Sequence, residues 1–266
     1  MNATSLPRCA RLGLDIPLRP LLEALAAVDE AAWQRHFNSD FYEGDWSGVA
    51  LITPEDAPLP LAPGQGAPLV SELLRRSAVW QAALGAFRTT IRSARLLRLG
   101  AGSRIHEHCD PDLGLPDSDL RLHLPLLSAD GVEFLVDGLQ VPMRPGQCWF
   151  VDLARPHRVD NPGPGERIHL VLDCQRNDWL LDLIEQGLAN TPSLSPGRAG
   201  QAFECFREQV AQEPELTRAL CELTDSAAFV ERVVSLGAAR DLHFSDAEVR
   251  AAMRLARRAW SDQWRA

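Results

Sequence analysis

Between Leu120 and Leu126 the chain reads L-R-L-H-L-P-L, and this alternation restricts the fold more than any other stretch. A period of two belongs to a half-buried strand, since a helix would scatter the four leucines around its circumference. Leu120, Leu122, Leu124 and Leu126 share one face, while Arg121 and His123 occupy the other. The division recurs in R-I-H-L-V-L-D-C, where Arg167 and His169 lie opposite Ile168, Leu170 and Leu172. Other short runs surround these two: S-A-R-L-L-R-L-G, G-V-E-F-L-V, L-Q-V-P-M-R-P-G and C-W-F-V-D, with a hairpin turn expected at Asp137-Gly138. Strands so spaced, with no helical period between them, predict an antiparallel sandwich or barrel. Apolar faces outward and polar faces inward imply a functional interior. The expected architecture is mainly β, a double-stranded β-helix (a jelly-roll or cupin-like barrel) flanked by N-terminal helices.

The polar interior is where chemistry is expected. In R-I-H-E-H-C-D, an extended chain would project His106, His108 and Asp110 together. Imidazole and carboxylate on one face suit Fe(II), Mn or Zn, and His157, in D-L-A-R-P-H-R-V-D-N, is the best candidate for a third ligand. Two His and one carboxylate leave coordination positions open, as in non-haem Fe(II) oxygenases. Arg121, His123, Arg167 and His169 complete the inward set. A buried Arg is costly without an anion, so two of them facing a metal point to a carboxylate-bearing small molecule. Arg121 or Arg167 pairing with Asp110, Asp152 or Asp173 is the structural alternative. His106 and His169 are expected in supporting roles.

The stretches L-G-A-G-S-R-I-H-E-H-C-D-P, L-R-L-H-L-P-L, F-V-D-L-A-R-P-H-R-V-D-N and R-I-H-L-V-L-D together resemble the aspartyl/asparaginyl β-hydroxylase family, which includes bacterial enzymes similar to L-proline cis-4-hydroxylase. The resemblance covers about residues 40–180. It implies an Fe(II)- and 2-oxoglutarate-dependent dioxygenase on a double-stranded β-helix, hydroxylating an amino acid, free or within a peptide. It gives His108, Asp110 and His157 the iron, and gives Arg167 the distal carboxylate of 2-oxoglutarate. Arg121 and His123, in the family's R-x-H strand, would contact the co-substrate or substrate carboxylate. Animal peptide-hydroxylating members lack the metal carboxylate, whereas Asp110 is present here. A rival cupin-like pattern uses His106, His108 and His157 as ligands, with Asp112 in place of the usual Glu. It would make the chain a metal-dependent small-molecule binding protein or an isomerase.

Flanking the barrel, residues 17–37 predict a helix from Leu18, Leu21, Leu22, Leu25 and Val28, and Leu69–Thr90 predicts a second. Between them, Thr53–Pro68 holds five Pro and two Gly and is expected as a surface loop. His36, at the first helix's end, reads as a solvated cap or, less often, a substrate contact. Residues 1–188 are expected to form the dioxygenase domain, 189–200 a linker, and 201–266 a small helical domain with a capping box at Ser245–Glu248. That module resembles Nif11-type leader segments; packing on the barrel or a homodimer contact is its plainer use. The net charge of −9 argues against nucleic acid or anionic membrane as main partner. Six scattered Cys and the absence of an apolar export segment predict a cytoplasmic protein.

Overall fold

The structure is a computed structural model describing residues 6–113, 115 and 117–262. The chain divides into two compact units, the first ending at Leu194 and the second beginning at Ser195. Strands β1 (Cys9–Leu12), β2 (Gln34–Arg35), β3 (Tyr42–Glu43), β4 (Trp46–Pro54), β5 (Pro68–Val70) and β6 (Ile91–Leu99) open the first unit. They are followed by β7 (Ser103–His108), β8 (Leu120–Leu127), β9 (Glu133–Val136) and β10 (Leu139–Gln140). Strands β11 (Cys148–Val151), β12 (His157–Asn161) and β13 (Arg167–Cys174) complete it. Helices α1 (Leu18–Ala26), α2 (Glu72–Arg76), α3 (Ala78–Leu84) and α4 (Asp178–Leu188) flank them.

One sheet runs β1-β11-β8-β13-β6-β4-β2, with β5 added to β4, and the other contains β10-β9-β12-β7-β3. From β6 onward the chain passes repeatedly from one sheet to the other, and its pairings are antiparallel. That is the double-stranded β-helix. The hairpin between β9 and β10 turns at Asp137 and Gly138, both at positive φ (52° and 73°), which glycine adopts without steric cost.

The period of two decides what each sheet face meets. Leu120, Leu122, Leu124 and Leu126 join Ile168, Leu170 and Leu172 in one apolar cluster with Leu21 of α1, Trp80 of α3 and Leu180 of α4. Burying each such side chain contributes about 1.5–3 kcal/mol, enough to fasten the helices to the sheet's outer face. A second cluster, including Leu97, Leu99, Phe134, Trp149 and Val171, fills part of the space between the sheets. The remaining inward positions carry the charged and imidazole side chains.

The flanking elements depart from expectation where local hydrogen bonds beat periodicity. The predicted 17–37 helix stops at Ala26. Asp29 then caps a separate 3-10 turn by accepting from the Ala31 N–H, and Gln34–Arg35 pairs with β4 as a strand. The predicted Leu69–Thr90 helix is broken at Ser77, whose extended backbone and side-chain cap on the Trp80 N–H start α3 afresh. The Thr53–Pro68 loop is shorter than expected, because β4 reaches Pro54 and pairs there with Pro68. Helix α4, capped by the Asn177 side chain, and strand β1 were not foreseen.

In the second unit, α5 (Arg198–Ala211), α6 (Pro214–Cys221), α7 (Ser226–Ala238) and α8 (Asp246–Asp262) enclose their own core of Phe203, Phe206, Leu220, Val230, Val233, Phe244 and Val249. Helix α5 begins inside the stretch expected as linker. The capping box forms as anticipated, with Glu248 accepting from the Ser245 N–H at 2.9 Å. Among the described residues no helix is long and apolar enough to cross a membrane.

Candidate metal centre

His108 and His157 are cross-strand partners on β7 and β12, so one rung of the smaller sheet brings the two rings together. Their centroids lie 4.2 Å apart. Each ring is oriented by its own chain: His108 Nδ1 donates to the His106 carbonyl at 2.7 Å, and His157 Nδ1 to the Arg155 carbonyl at 3.0 Å. That fixes the tautomer and leaves both Nε2 lone pairs free for a metal. Burial lowers the His157 pKa to about 4, against the opposing pull of Asp110, so this imidazole is neutral at physiological pH, as a ligand must be. Asp110 sits beyond the end of β7, anchored by its N–H to the Leu153 carbonyl at 2.8 Å. Its Oδ1 lies 3.6 Å from His108 Nε2. The candidate ligand atoms of His108, Asp110 and His157 all fall within 4.8 Å of one another.

His106 does not join them. Between Ile105 and His108, β7 holds one residue more than β12 does opposite, and this bulge reverses the phase of the strand. Ile105 and His108 therefore line the interior, whereas His106 stands 3.6 Å from Glu43, with a side chain 39% exposed. Simple alternation from His106 to Asp110 fails for that reason, and the cupin-like set loses a ligand. Asp112 lines the cavity but lies outside the ligand cluster.

The candidate ligands open onto a cavity of about 330 Å³ between the sheets. Arg167 is 2% exposed on its wall, donates from Nη2 to His169 Nδ1 at 2.9 Å, and packs 5.4 Å from the Phe134 ring. Among the described residues no carboxylate pairs with it, and burial alone lowers its pKa to about 9. His123 and His169 touch at 3.4 Å and are held neutral, first by burial and then by the nearby Arg167 charge. Arg121 is placed differently. Its Nε and Nη2 donate to Asp173 at 2.6 and 3.1 Å, and its Nη1 to Asp110 Oδ2 at 2.5 Å. Arg95 also bonds Asp173.

Four nitrogens on this cavity's lining residues, Trp46 Nε1, Arg95 Nε, His123 Nε2 and Arg167 Nε, are buried with no hydrogen-bond partner among the described residues. Three of them can only donate, so the interior is short of acceptors, which an oxygen-rich anion supplies. Sequence reading missed Trp46, Phe134 and Arg95 as cavity residues, and gave His36 only a minor chance of a substrate contact. His36 is 8% exposed rather than a solvated cap, stacked on Trp46 with centroids 3.5 Å apart. Arg95 was legible, since it shares a strand face with Leu97 and Leu99 on β6; the His36–Trp46 stack was not, because it depends on the β2–β4 pairing.

Residues 19–177 match the family model described as Aspartyl/Asparaginyl beta-hydroxylase. Similar solved structures include an oxidoreductase of the 2OG-Fe(II) oxygenase family from Burkholderia pseudomallei, at 20% identity and TM-score 0.40, covering 60% of this chain and 79% of that one. A Pseudomonas putida prolyl-4-hydroxylase matches at 14% identity and TM-score 0.39, covering 64% and 93%. A Cupin 2 conserved barrel protein from Salinispora arenicola CNS-205 matches at 12% identity and TM-score 0.31, covering 60% and 92%. With the family model spanning well over half of its length, the chain belongs to the aspartyl/asparaginyl β-hydroxylase family, whose Fe(II)- and 2-oxoglutarate-dependent hydroxylase chemistry its His–Asp–His donor set fits.

Proposed function

We propose that this chain hydroxylates an amino acid, free or within a peptide, with His108, Asp110 and His157 holding Fe(II) and Arg167 taking the distal carboxylate of 2-oxoglutarate. The observation that carries the reading is Arg167: a buried cation without a counter-ion among the described residues, in the cavity that the three candidate ligands share. Such a charge is costly until an anion completes it, and a guanidinium fork matches a carboxylate in two bonds. His169 steers that fork by accepting one of its N–H groups, leaving Nε and the remaining nitrogens for the ligand. The unpartnered His123 Nε2 provides a further polar contact on the same wall.

When bound, Fe(II) and 2-oxoglutarate supply O₂ activation coupled to decarboxylation, yielding succinate and CO₂ and delivering one oxygen atom to a substrate C–H. The chain's own contribution is placement and exclusion of water. Phe134 and Trp46 wall the cavity with apolar surface, and the stacked His36 closes a second side near Asp110 and His108.

The test is incubation of the purified protein with Fe(II), 2-oxoglutarate, O₂ and a panel of amino acids and peptides. Succinate should form in step with a product one oxygen atom heavier. No conversion of 2-oxoglutarate under any condition, despite bound iron, would sink the proposal.

A further inference from the structure

The interior contains an alternating line of charges that ends on the proposed metal carboxylate. Arg95, Asp173, Arg121 and Asp110 touch in that order, and the first three side chains are at most 14% exposed. Strand register builds it: Asp173 on β13 stands directly opposite Arg121 on β8, and Arg95 projects from β6 on the other side of β13. Every nitrogen of the Arg121 guanidinium is committed. Two grip Asp173 as a fork and the third holds Asp110 Oδ2. Burial opposes the Arg121 charge, but Asp173 and Asp110 outweigh it and keep the group protonated.

We propose that Arg121 is a positioning residue for the metal carboxylate, pinned by Asp173 and Arg95, rather than the residue that binds 2-oxoglutarate. The inference rests on the reading of His108, Asp110 and His157 as metal ligands. Asp110 lies past the strand end, so the sheet does not itself fix its carboxylate. With Oδ2 held by Arg121, the other oxygen, Oδ1, is the one turned toward His108 Nε2. Asp110 is thereby prepared to give the metal one oxygen rather than two, leaving coordination positions for the co-substrate. Asp173 prevents the long Arg121 side chain from swinging into the cavity toward an anion, and Arg95 balances the charge of Asp173. Hydrogen-bond partners of metal ligands characteristically change affinity by about 10–100-fold when removed.

The experiment uses Co(II) as probe, titrated into the full-length protein and followed by visible absorption, with 2-oxoglutarate affinity then measured at saturating Co(II). Arg121→Met should weaken Co(II) binding about 10–100-fold and leave 2-oxoglutarate affinity within a few-fold of wild type. Asp173→Asn, which touches no ligand, should weaken Co(II) in the same direction by releasing Arg121. Arg121→Lys, retaining the charge and a donor, should recover part of the loss; it also serves if the Met variant does not fold. Unchanged Co(II) affinity in folded Arg121→Met or Arg121→Lys, or a fall confined to 2-oxoglutarate affinity, would overturn the proposal. Failure of the underlying reading is distinguishable: wild type would then bind no Co(II), or Asp110→Ala would bind it as tightly as wild type.

Discussion

Arg167→Met separates stability from co-substrate binding. In the folded protein burial lowers the Arg167 pKa to about 9, far under the ordinary guanidinium value. At about 1.4 kcal/mol per decade of proton affinity, keeping the charge costs the ligand-free protein about 5 kcal/mol. The sign is that of a cation with a depressed folded pKa: the penalty is complete below pH 9 and fades as pH rises through that value. Methionine removes it, at the loss of the bond to His169, about 1 kcal/mol, and of the contact with Phe134, about 1–2 kcal/mol. The balance favours the variant by about 2 kcal/mol, or roughly 4–8 °C in melting temperature. Thermal unfolding at pH 7 of metal-free wild type and variant reads this directly, and repetition with Co(II) and 2-oxoglutarate reads the other half. Wild type should gain stability from 2-oxoglutarate, and the variant should gain none. A variant that melts lower when ligand-free, yet still responds to 2-oxoglutarate, would refute the reasoning and make Arg167 a structural residue.

Replacing His108 or His157 with Ala should abolish iron binding and 2-oxoglutarate turnover, while His106→Ala retains both; bound iron and succinate release check this. Burial, reinforced by Arg95 and Arg121, lowers the His36 pKa to about 3, so the unfolded chain takes up a proton near pH 6.5 that the folded one refuses. Stability should therefore be full above that pH and fall on acidification toward pH 3. In urea titrations of the metal-free protein, His36→Phe should make the decline shallower by up to about 1.4 kcal/mol per pH unit. A chain ending at Leu194 should remain soluble and bind Co(II) and 2-oxoglutarate, since the proposed ligands lie in the first unit and the second has its own core; precipitation or loss of Co(II) binding would show dependence on the helices.

What the sequence disclosed followed from periodicity and from resemblance. The alternation in β8 and β13 announced which residues turn outward to the helices, and the resemblance to the family singled out His108, Asp110 and His157, whose candidate ligand atoms the fold brings within 4.8 Å of one another. Three things escaped it. A bulge of one residue turned His106 away from His108, and no residue type in R-I-H-E-H marks its place. Ser77 and Asp29 ended helices whose apolar spacing continued past them, because a side-chain cap competes locally with propagation. Which of the two arginines pairs, and with which of the carboxylates, was left open as well: Arg121 takes both Asp110 and Asp173, a choice made by chain placement over 11 and 52 residues that a single strand's pattern does not contain.

The two-faced strands also bear on how faithfully the chain folds. A slip of one residue in β8 would drive Arg121 and His123 into the apolar layer beneath the helices and turn leucines toward the proposed metal ligands. An uncompensated charge in that layer costs about 3–5 kcal/mol, a large fraction of the stability of a typical domain. Misregistered intermediates are thus penalised by the polar groups themselves, before any metal binds. The charges that make the interior reactive act during folding as proofreaders of strand alignment. Substituting them with apolar residues should therefore cost the nascent barrel selectivity among registers, a defect visible as slower or heterogeneous refolding even where the final fold survives.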